Sequence, residues 1–340
     1  MNTHRHLLLL LLSLSTLIPQ FSTLTWAQGS LTPPPGVPAA TMKTLDQVEA
    51  RKPVQSLAAA APYTISQPGS YYLTGNITVA SGDAIVIASD DVSLDLNGFT
   101  IRSTLAGSFS GTAIKVSGAH SRLTVRHGSI VSGTTVPASG APVKMGFAYG
   151  FAGTAGITQA LVSEVHIIGI ATDGINITSQ GLVERCTARN CGGFGISADN
   201  IRDCSGDNCY NPGIYALENA VNCAGSSTES TGMYSAGNAL NCTGTSTSGN
   251  AFSRGLSAFN ASNCTGLSAK GTGLVCGGNA NNCLGKSTAA NGVGMQVGGT
   301  ASFCMGDAGA SVAIVAYNAI GCSAYGGGTV NATLKSLGTP

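Results

Sequence analysis

The chain has 340 residues, in which 16 Lys and Arg face 15 Asp and Glu, so charged residues make up only 9% of the whole. An ordinary globular domain carries about 25%. So low a charge leaves no basic surface for nucleic acid or an anionic membrane. The 47 glycines fall far short of the roughly one-third that collagen needs, and 43% apolar residues exclude a disordered chain.

The first 27 residues have the pattern of a secretory signal peptide. Arg5 precedes an apolar run from Leu7 to Ile18, and Thr25 and Ala27 are small residues at the two positions that a signal peptidase recognises. The run is shorter than the ~20 residues of a membrane-spanning helix, and no later stretch is long enough. We therefore expect cleavage after Ala27 and a secreted protein, periplasmic or extracellular, without a membrane span.

A Pro-rich stretch follows the signal peptide. Six of the 12 prolines fall between Gly29 and Pro62, which favours an extended linker over residues 28–62. Within it, Thr44-Leu45-Asp46-Gln47 has the spacing of a capping box and predicts a short helix over residues 44–50. After Pro62, β-branched residues alternate with polar ones. A single domain is therefore predicted over residues 63–340.

The second half of the chain is a repeat. A seven-residue frame, Asn-Ala-x-Asn-Cys-x-Gly, begins at Asn219, Asn238, Asn260 and Asn279. Cysteines recur at intervals of 18 to 22 residues, at Cys186, Cys204, Cys223, Cys242, Cys264, Cys283, Cys304 and Cys322. Each unit is short, rich in small residues and without helical periodicity, which is typical of one coil of a β-solenoid. The spacing predicts an all-β, single-stranded parallel β-helix of about eleven coils.

Stacking of the coils in register predicts two ladders. The eight cysteines should form an inward Cys ladder, and the Asn four residues before each Cys should form an Asn ladder. Parallel side chains keep their Cβ atoms about 4.8 Å apart, which exceeds the ~3.8 Å of a relaxed disulfide, so free buried thiols are expected. Cys191 and Cys209 form a second, two-member column. The absence of a C-x-x-C pair, and of any His after His166, predicts no metal site.

Several segments resemble those of bacterial secreted proteins with the right-handed parallel β-helix, or pectin-lyase-like, fold. The segments are TLDQVEAR, ISQPGSYYLTGNIT, DDVSLDLNGFTI, LTVRHGSI and the Gly-Ile and Asn-Cys coils, which together cover almost everything after residue 41. The resemblance implies a right-handed coil. Because this fold carries lyases, hydrolases, epimerases and adhesins, the resemblance implies no single activity.

Three residues are candidates for catalysis. Thr172-Asp173-Gly174-Ile175 looks like part of the polygalacturonase motif, with Asp173 as the acid, although an Asp before Gly is also a common turn residue. A polysaccharide lyase would need a cationic base, for which Arg126 is a candidate, and Ca²⁺ to neutralise a uronate. His166 is the third candidate. No cofactor is predicted outside the lyase alternative.

Charge pairing speaks against an active site. Aligned on their cysteines, neighbouring coils place opposite charges one above the other in three pairs: Glu184 with Arg202, Arg185 with Asp203, and Arg189 with Asp207. Such a patch neutralises itself. The pairing would remove the only carboxylate cluster from the available acids and bases.

Ligand contacts are expected on the early coils. An insertion over residues 132–158 carries Lys144, Phe147, Tyr149 and Phe151, whose aromatic rings either stack on sugars or pack the loop against the coil. Arg122 lies on the outer face, either as a contact for a sugar acid or as solvated charge. The leading hypothesis is an exported, non-catalytic module of the cell envelope or extracellular space that binds a polysaccharide or cell-surface glycan. The alternative is a carbohydrate-active enzyme, a polysaccharide lyase before a polygalacturonase-like hydrolase.

Overall fold

A computed structural model describes residues 50–153, 156–177, 179–309 and 311–335. The predicted signal peptide, most of the predicted linker and residues 44–49 of the predicted helix lie outside the described residues. The described chain is an all-β parallel solenoid of about 13 turns, which confirms the predicted fold class with slightly more coils than the eleven expected. A 3-10 turn at Val54–Ser56 is the one helical segment described. The described part of the chain holds no helix with the length and apolar character that a membrane crossing requires.

The strands are short and follow one another through tight turns. The early strands are Arg51–Pro53, Tyr63–Ile65, Gly69–Tyr72, Ile77–Val79, Ile85–Ile87, Val92–Asp95, Thr100–Ser103, Thr112–Val116 and Ser121–Val131. The middle strands are Tyr149–Gly153, Thr158–Ile168, Ile175–Asn176, Leu182–Glu184, Thr187–Arg189, Ile196–Arg202, Ser205–Cys209, Ile214–Val221, Ala224–Ser227, Met233–Leu240 and Thr243–Ser246. The late strands are Arg254–Ser262, Thr265–Ser268, Thr272–Cys276, Ala280–Asn281, Leu284–Ser287, Met295–Ser302, Met305–Asp307, Val312–Ile320, Ser323–Tyr325 and Thr329–Lys335.

Each coil contributes to three parallel sheets. Sheet A begins with Tyr63–Ile65, which pairs with Ile85–Ile87 of the next coil. Sheet B begins with Arg51–Pro53 and sheet C with Ile77–Val79, each paired in the same parallel manner. The first strand of sheet B thus lies within the stretch for which a linker was predicted. Longer strands such as Ser121–Val131 turn a corner and take part in both sheet B and sheet C.

The core changes from large to small side chains along the rod. Sheet A keeps a column of large residues throughout: Ile85, Ile114, Phe151, Ile175, Ile196, Ile214, Met233, Leu256, Leu274, Met295 and Ile314. In sheet B the inward column is Leu94, Val125, Val162, Val183 and Ile201, and then Ala220, Ala239, Ala261, Ala280, Ala301 and Ala319. In sheet C the column passes from Ile77, Ile101, Ile130 and Ile167 to Ala188 and then to Gly206, Gly225, Gly244, Gly266, Gly285 and Gly306.

The glycine column lets sheet C approach sheet A at the level of the backbone. A Cβ atom placed on Gly206 would lie 2.0 Å from the carbonyl oxygen of Gly213. Gly213 directly precedes the next sheet A strand in the chain, Ile214–Val221. Gly285 has the same relationship to Gly294, at 2.2 Å. No other residue fits at such a distance, because the clash is with backbone that cannot move aside. The later coils are therefore thinner than the early ones.

The predicted Asn ladder is present. Asn219 donates from Nδ2 to Asn200 at 3.1 Å, Asn238 to Asn219 at 2.9 Å, and Asn260 to Asn238 at 3.1 Å. Farther along, Asn279 accepts a bond from the backbone N–H of Thr300 instead. The ladder thus ends in bonds to the main chain.

A second Asn ladder, which was not predicted, lies at the corner between sheets B and C. One residue per coil there has a positive φ of 51–59°: Asn97, His127, Glu164, Arg185, Asp203, Asn222, Asn241, Asn263, Asn282, Phe303 and Gly321. Asn tolerates this left-handed conformation better than most residues. Asn222, Asn241, Asn263 and Asn282 each donate to the same position of the preceding coil at 2.8–3.1 Å.

The cysteines are buried in the stack, as predicted. All eleven are free thiols. The Sγ atom of a thiol such as Cys264 lies within hydrogen-bond distance of two backbone carbonyls, Ala239 at 3.3 Å and Ser262 at 3.2 Å, either of which can accept its one hydrogen. The second column begins with Cys191 and Cys209, and from Cys209 it continues as the buried hydroxyls Ser227, Ser246, Ser268 and Ser287.

The predicted insertion is shorter than residues 132–158, because Tyr149–Gly153 is a regular strand of sheet A paired with Thr112–Val116. Residues 132–148 form the loop itself. An isolated bridge joins Thr135 to Val143 within it. The loop is held against the rod by a bond from Asn208 Nδ2 to the carbonyl of Val136 at 2.9 Å.

Candidate functional site

The outer face of sheet C carries three shallow depressions in series. The N-terminal depression has a volume of about 460 Å³ and is lined by Gly98, His127, Gly128, Ser129, Glu164, His166 and Arg185. The middle depression, of about 170 Å³, is lined by Arg189, Ser205, Gly206, Asp207, Ala224, Gly225, Ser226, Thr243 and Thr245. The C-terminal depression, of about 220 Å³, is lined by Thr245, Ser246, Thr247, Leu267, Ser268, Ala269, Lys286 and Thr288.

Strand register places the three depressions on one line along the rod. The outward column of sheet C runs Ser129, His166, Thr187, Ser205, Ala224, Thr243 and Thr265, each residue paired with the next. Thr245 lines both the middle and the C-terminal depression. Most of these outward side chains are short hydroxyls, and the column then continues as Leu284 and Met305, so the face is polar in its middle coils and more apolar towards its C-terminal end.

The N-terminal depression is bordered by a chain of ion pairs. His127 lies 2.8 Å from Glu164 through Nε2 and 3.4 Å from Asp95 through Nδ1. Arg185 donates from Nε to the same Glu164 at 3.0 Å. Because His127, Glu164 and Arg185 occupy successive positions of the left-handed corner, their side chains are brought together by the coil stacking.

The chain of ion pairs continues through Glu184. This carboxylate contacts both Arg185, at 2.7 Å, and Arg202. The hydrogen bond from Arg202, followed by that from Arg185, holds the pKa of Glu184 below its ordinary value. At the other end Asp95 faces Arg126 at 3.3 Å. Three carboxylates thus face three guanidinium groups along this corner.

Two of the three predicted charge pairs are confirmed and one is wrong. Glu184 contacts Arg202, and Arg189 contacts Asp207 at 3.0 Å. Arg185 does not contact Asp203, because Glu164 and Glu184 both lie within its reach. Asp203 instead accepts a bond from Asn222 at 2.8 Å, as the first rung of the corner ladder.

His166 lies on the floor of the N-terminal depression. Its Nδ1 atom is 2.9 Å from Thr187 Oγ1, and in the described part of the chain Nε2 has no partner. Arg126, the lyase candidate, is one step away, linked to the depression through Asp95 and His127. Its Nε atom is buried without a hydrogen-bond partner among the described residues.

Asp173 does not join the other two candidates. Its carboxylate accepts bonds from Asn176 Nδ2 at 2.8 Å and from the backbone N–H of Phe194 at 2.9 Å. Burial raises the pKa of Asp173, while those bonds act in the opposite direction. Asp173 thus connects the turn before Ile175–Asn176 to the corresponding turn of the neighbouring coil, and its position in a turn agrees with the alternative interpretation of the sequence motif.

The structure buries some of the residues that were expected to contact a ligand and leaves others at the surface. Phe147 and Phe151 are fully buried members of the core, so the expectation that they contact a ligand is corrected: both rings pack the loop and sheet A. Lys144 Nζ lies 5.8 Å from the ring of Phe109, and Tyr149 is half-buried. Arg122 is exposed but binds Asp91 through two nitrogens.

One aromatic group was missed by sequence reasoning. Phe194, Tyr215 and Tyr234 form a stack on the outside of sheet A, with ring centroids 4.8 Å apart at each step. Tyr215 and Tyr234 are register partners, each after the repeated Gly-Ile or Gly-Met pair. That shared position was the signal that would have found them.

Comparisons with known proteins leave the site to be judged on its own geometry. No family model, curated protein or solved structure matches the chain. Among the residues described, no group of three or more His, Cys, Asp or Glu side chains is placed to hold a metal ion. The evidence for a function of the sheet C face therefore consists of its shape, its hydroxyl groups and its charge pairs.

Proposed function

We propose that the chain is an exported, non-catalytic β-solenoid that binds an extended glycan along sheet C. The right-handed, pectin-lyase-like coil is part of the same proposal. The observation that carries it is the alignment of three depressions along one face. From the coil of His166 to that of Lys286 the face spans six strand spacings, roughly 29 Å. That length suits an oligosaccharide better than a single sugar.

The chemistry of the face supports a glycan. Each Ser or Thr hydroxyl offers one donor and two acceptor sites, the same combination that sugar hydroxyls present. Thr187, Ser205, Thr243 and Thr265 repeat this group at intervals of one coil, apart from Ala224. Ion pairs at Arg189–Asp207 and Lys286–Asp307 lie beside this row. A chain of sugars would meet one hydroxyl after another.

Charge pairing supports binding rather than catalysis. Hydrolysis with inversion needs two available carboxyl groups about 6.5–9.5 Å apart. On this face Glu164 is held by His127 and Arg185, Asp207 by Arg189, and Asp307 by Lys286. Each of these carboxylates is thus already engaged by a basic side chain of a neighbouring strand.

A polysaccharide lyase is the second candidate, favoured by one observation. His166 shares the N-terminal depression with Arg185, and its Nε2 atom has no partner in the described chain. His166 would take the proton next to a uronate carboxylate, and Arg185 would neutralise that carboxylate. Ca²⁺ would have a part only under this alternative.

The test compares retention with turnover on a panel of neutral and uronate-rich polysaccharides, with and without Ca²⁺. The variant Thr245→Arg places a long side chain where the middle and C-terminal depressions meet and is expected to weaken retention at least tenfold. Thr64→Arg, the same change on the exposed face of sheet A, is its control. Equal losses in both variants, or no retention at all, would overturn the proposal. Turnover that disappears in His166→Ala would replace it with the lyase.

A further inference from the structure

The N-terminal depression carries two imidazoles in addition to a balanced set of permanent charges. Asp95, Glu164 and Glu184 face Arg126, Arg185 and Arg202. On the flanking positions, Arg189 is paired with Asp207, and the exposed Arg102 and Asp203 add one charge of each sign. His127 and His166 are therefore the groups whose protonation changes the sign of this region from near neutral to positive.

The two imidazoles differ in their surroundings. His127 bridges two carboxylates, Asp95 and Glu164, which already have guanidinium partners. Protonation of His127 therefore adds a charge that is not cancelled within the cluster. His166 contacts only the neutral Thr187 hydroxyl, so its Nε2–H would point to a ligand rather than to protein.

The depression also has room for a substituent. Its volume is about 460 Å³, the largest of the three, and Gly98 leaves part of its wall without a side chain. Ser129, the register partner of His166, adds a hydroxyl beside the imidazole. Charged and hydroxyl donors from three successive coils thus surround one opening.

We propose that the N-terminal depression is a subsite for an anionic substituent of the glycan, a sulfate or phosphate ester, which hydrogen-bonds to His166 and is attracted by the positive charges of His127 and Arg185 beside it. This inference rests on the proposed glycan-binding function and names the substituent that the site selects. Imidazoles change charge between pH 5 and 8, so binding of a sulfate ester, whose own charge is constant over that range, strengthens as the pH falls. A phosphate monoester loses part of its own charge near pH 6, which opposes this effect. Within the part of the chain that the structure describes, no histidine lines the middle or the C-terminal depression, so binding there has no such dependence.

The experiment uses the full chain and two pairs of probes. One pair is a κ-carrageenan hexasaccharide and its desulfated form, and the other is a phosphomannan oligosaccharide and its dephosphorylated form. Titration calorimetry at pH 5.0 and pH 7.5 should show about tenfold tighter binding of the sulfated probe at the lower pH, which corresponds to one added charge interaction near a protein surface. The uncharged probes should bind alike at both pH values. The pair with the larger difference in affinity between its charged and uncharged members at one pH identifies the ester.

Two variants distinguish binding at this subsite from a nonspecific attraction of anions to the whole protein at low pH. His166→Gln should reduce the pH effect to about threefold or less, whereas His120→Gln, the same change beside Asp90 and outside the depression, should leave it intact. In NMR spectra the imidazole signals of His166 should shift on addition of the anionic probe. Equal affinity for charged and uncharged probes, or an equal effect of the two variants, would overturn the inference while leaving glycan binding in place. No binding of any probe would overturn the proposed function itself.

Discussion

Asn241 donates a hydrogen bond from Nδ2 to Oδ1 of Asn222, 3.1 Å away in the preceding coil, and both residues have a φ of 53°. Asn241 also accepts the equivalent bond from Asn263. One side chain thus satisfies two neighbours and permits a backbone conformation that most residues avoid. The corner between sheets B and C depends on this double role.

Asn241→Ala should lower the free energy of unfolding by about 2–3 kcal/mol, since it loses two ladder bonds and places Ala in the left-handed region. Asn241→Gly keeps the backbone freedom and should lose only about 1 kcal/mol. Asn331→Ala, an exposed position on sheet A, is the control and should stay within about 0.5 kcal/mol. Urea denaturation measures all three. Equal effects of the Ala and Gly variants would show that the conformation contributes nothing.

Alkaline pH should destabilise the rod through the Cys ladder. A hydrogen bond donated to the preceding thiol, together with burial, raises the pKa of Cys264, Cys283 and Cys304 to about 11. An unfolded thiol titrates near 8.5, so the unfolded state loses protons first as the pH rises. Stability is retained below about pH 8.5 and should fall by at least about 2 kcal/mol by pH 10.5.

The measurement is urea denaturation across this pH range with a reductant present, and Cys264→Ala should show a shallower dependence than the native chain. Thiol titration with an aromatic disulfide reagent provides a second readout. The native chain should react at none of the buried thiols at pH 8, and all eleven should react after denaturation. Fast reaction of the native chain would contradict the buried thiol stack.

Acid should remove the contribution of Arg202. The pKa of Glu184 is depressed by Arg202 and Arg185, so the stabilisation is present above the ordinary Glu value near 4.3 and is lost as the pH falls through the lower folded value. Arg202→Gln should therefore cost roughly 1 kcal/mol at pH 7 and close to nothing at pH 3. Arg189→Gln is the control, since its pair with Asp207 is 63% and 49% exposed and should contribute less. The same loss at both pH values would point to packing instead of charge.

Phe151→Ala should cost about 3–5 kcal/mol, because its ring is 1% exposed and stacks between Ile114 and Ile175. Phe252→Ala removes the same ring from a position that is 89% exposed and should change stability by less than about 0.5 kcal/mol. Thermal and urea denaturation compare the two. Similar small effects would contradict the burial of Phe151.

The repeat predicted the solenoid and its first Asn ladder because identical residues at a fixed spacing must stack. The corner ladder of Asn222 and Asn241 was visible in the same frame, but its role depends on a positive φ that spacing alone does not reveal. The strand at Arg51–Pro53 was missed because prolines outweigh its short β pattern. Phe147 and Phe151 were ambiguous because alternating aromatic residues suit a buried strand as well as a sugar platform.

The sequence predicted less of the candidate site than of the fold. His166 stands next to Ser129, although 37 residues separate them, because the loop over residues 132–148 lengthens that coil. Because the sequence does not show where this loop begins and ends, it does not determine which residues of the early coils are register partners. Arg185 was assigned to Asp203 for a related reason: alignment on cysteines orders the backbone but does not show that Glu164 lies equally close.

The glycine and alanine columns of the later coils have a consequence for how such a rod changes its length. From Gly225 to Gly285 every coil meets its neighbours through the same glycine and alanine columns and carries an Asn in each of the two Asn ladders. A whole coil can be gained or lost there without creating a cavity or a clash, because the two coils that come into contact carry the same residues at their matching positions. Length is thus a property that duplication and deletion can adjust in steps of about 4.8 Å, independently of the N-terminal depression on the early coils.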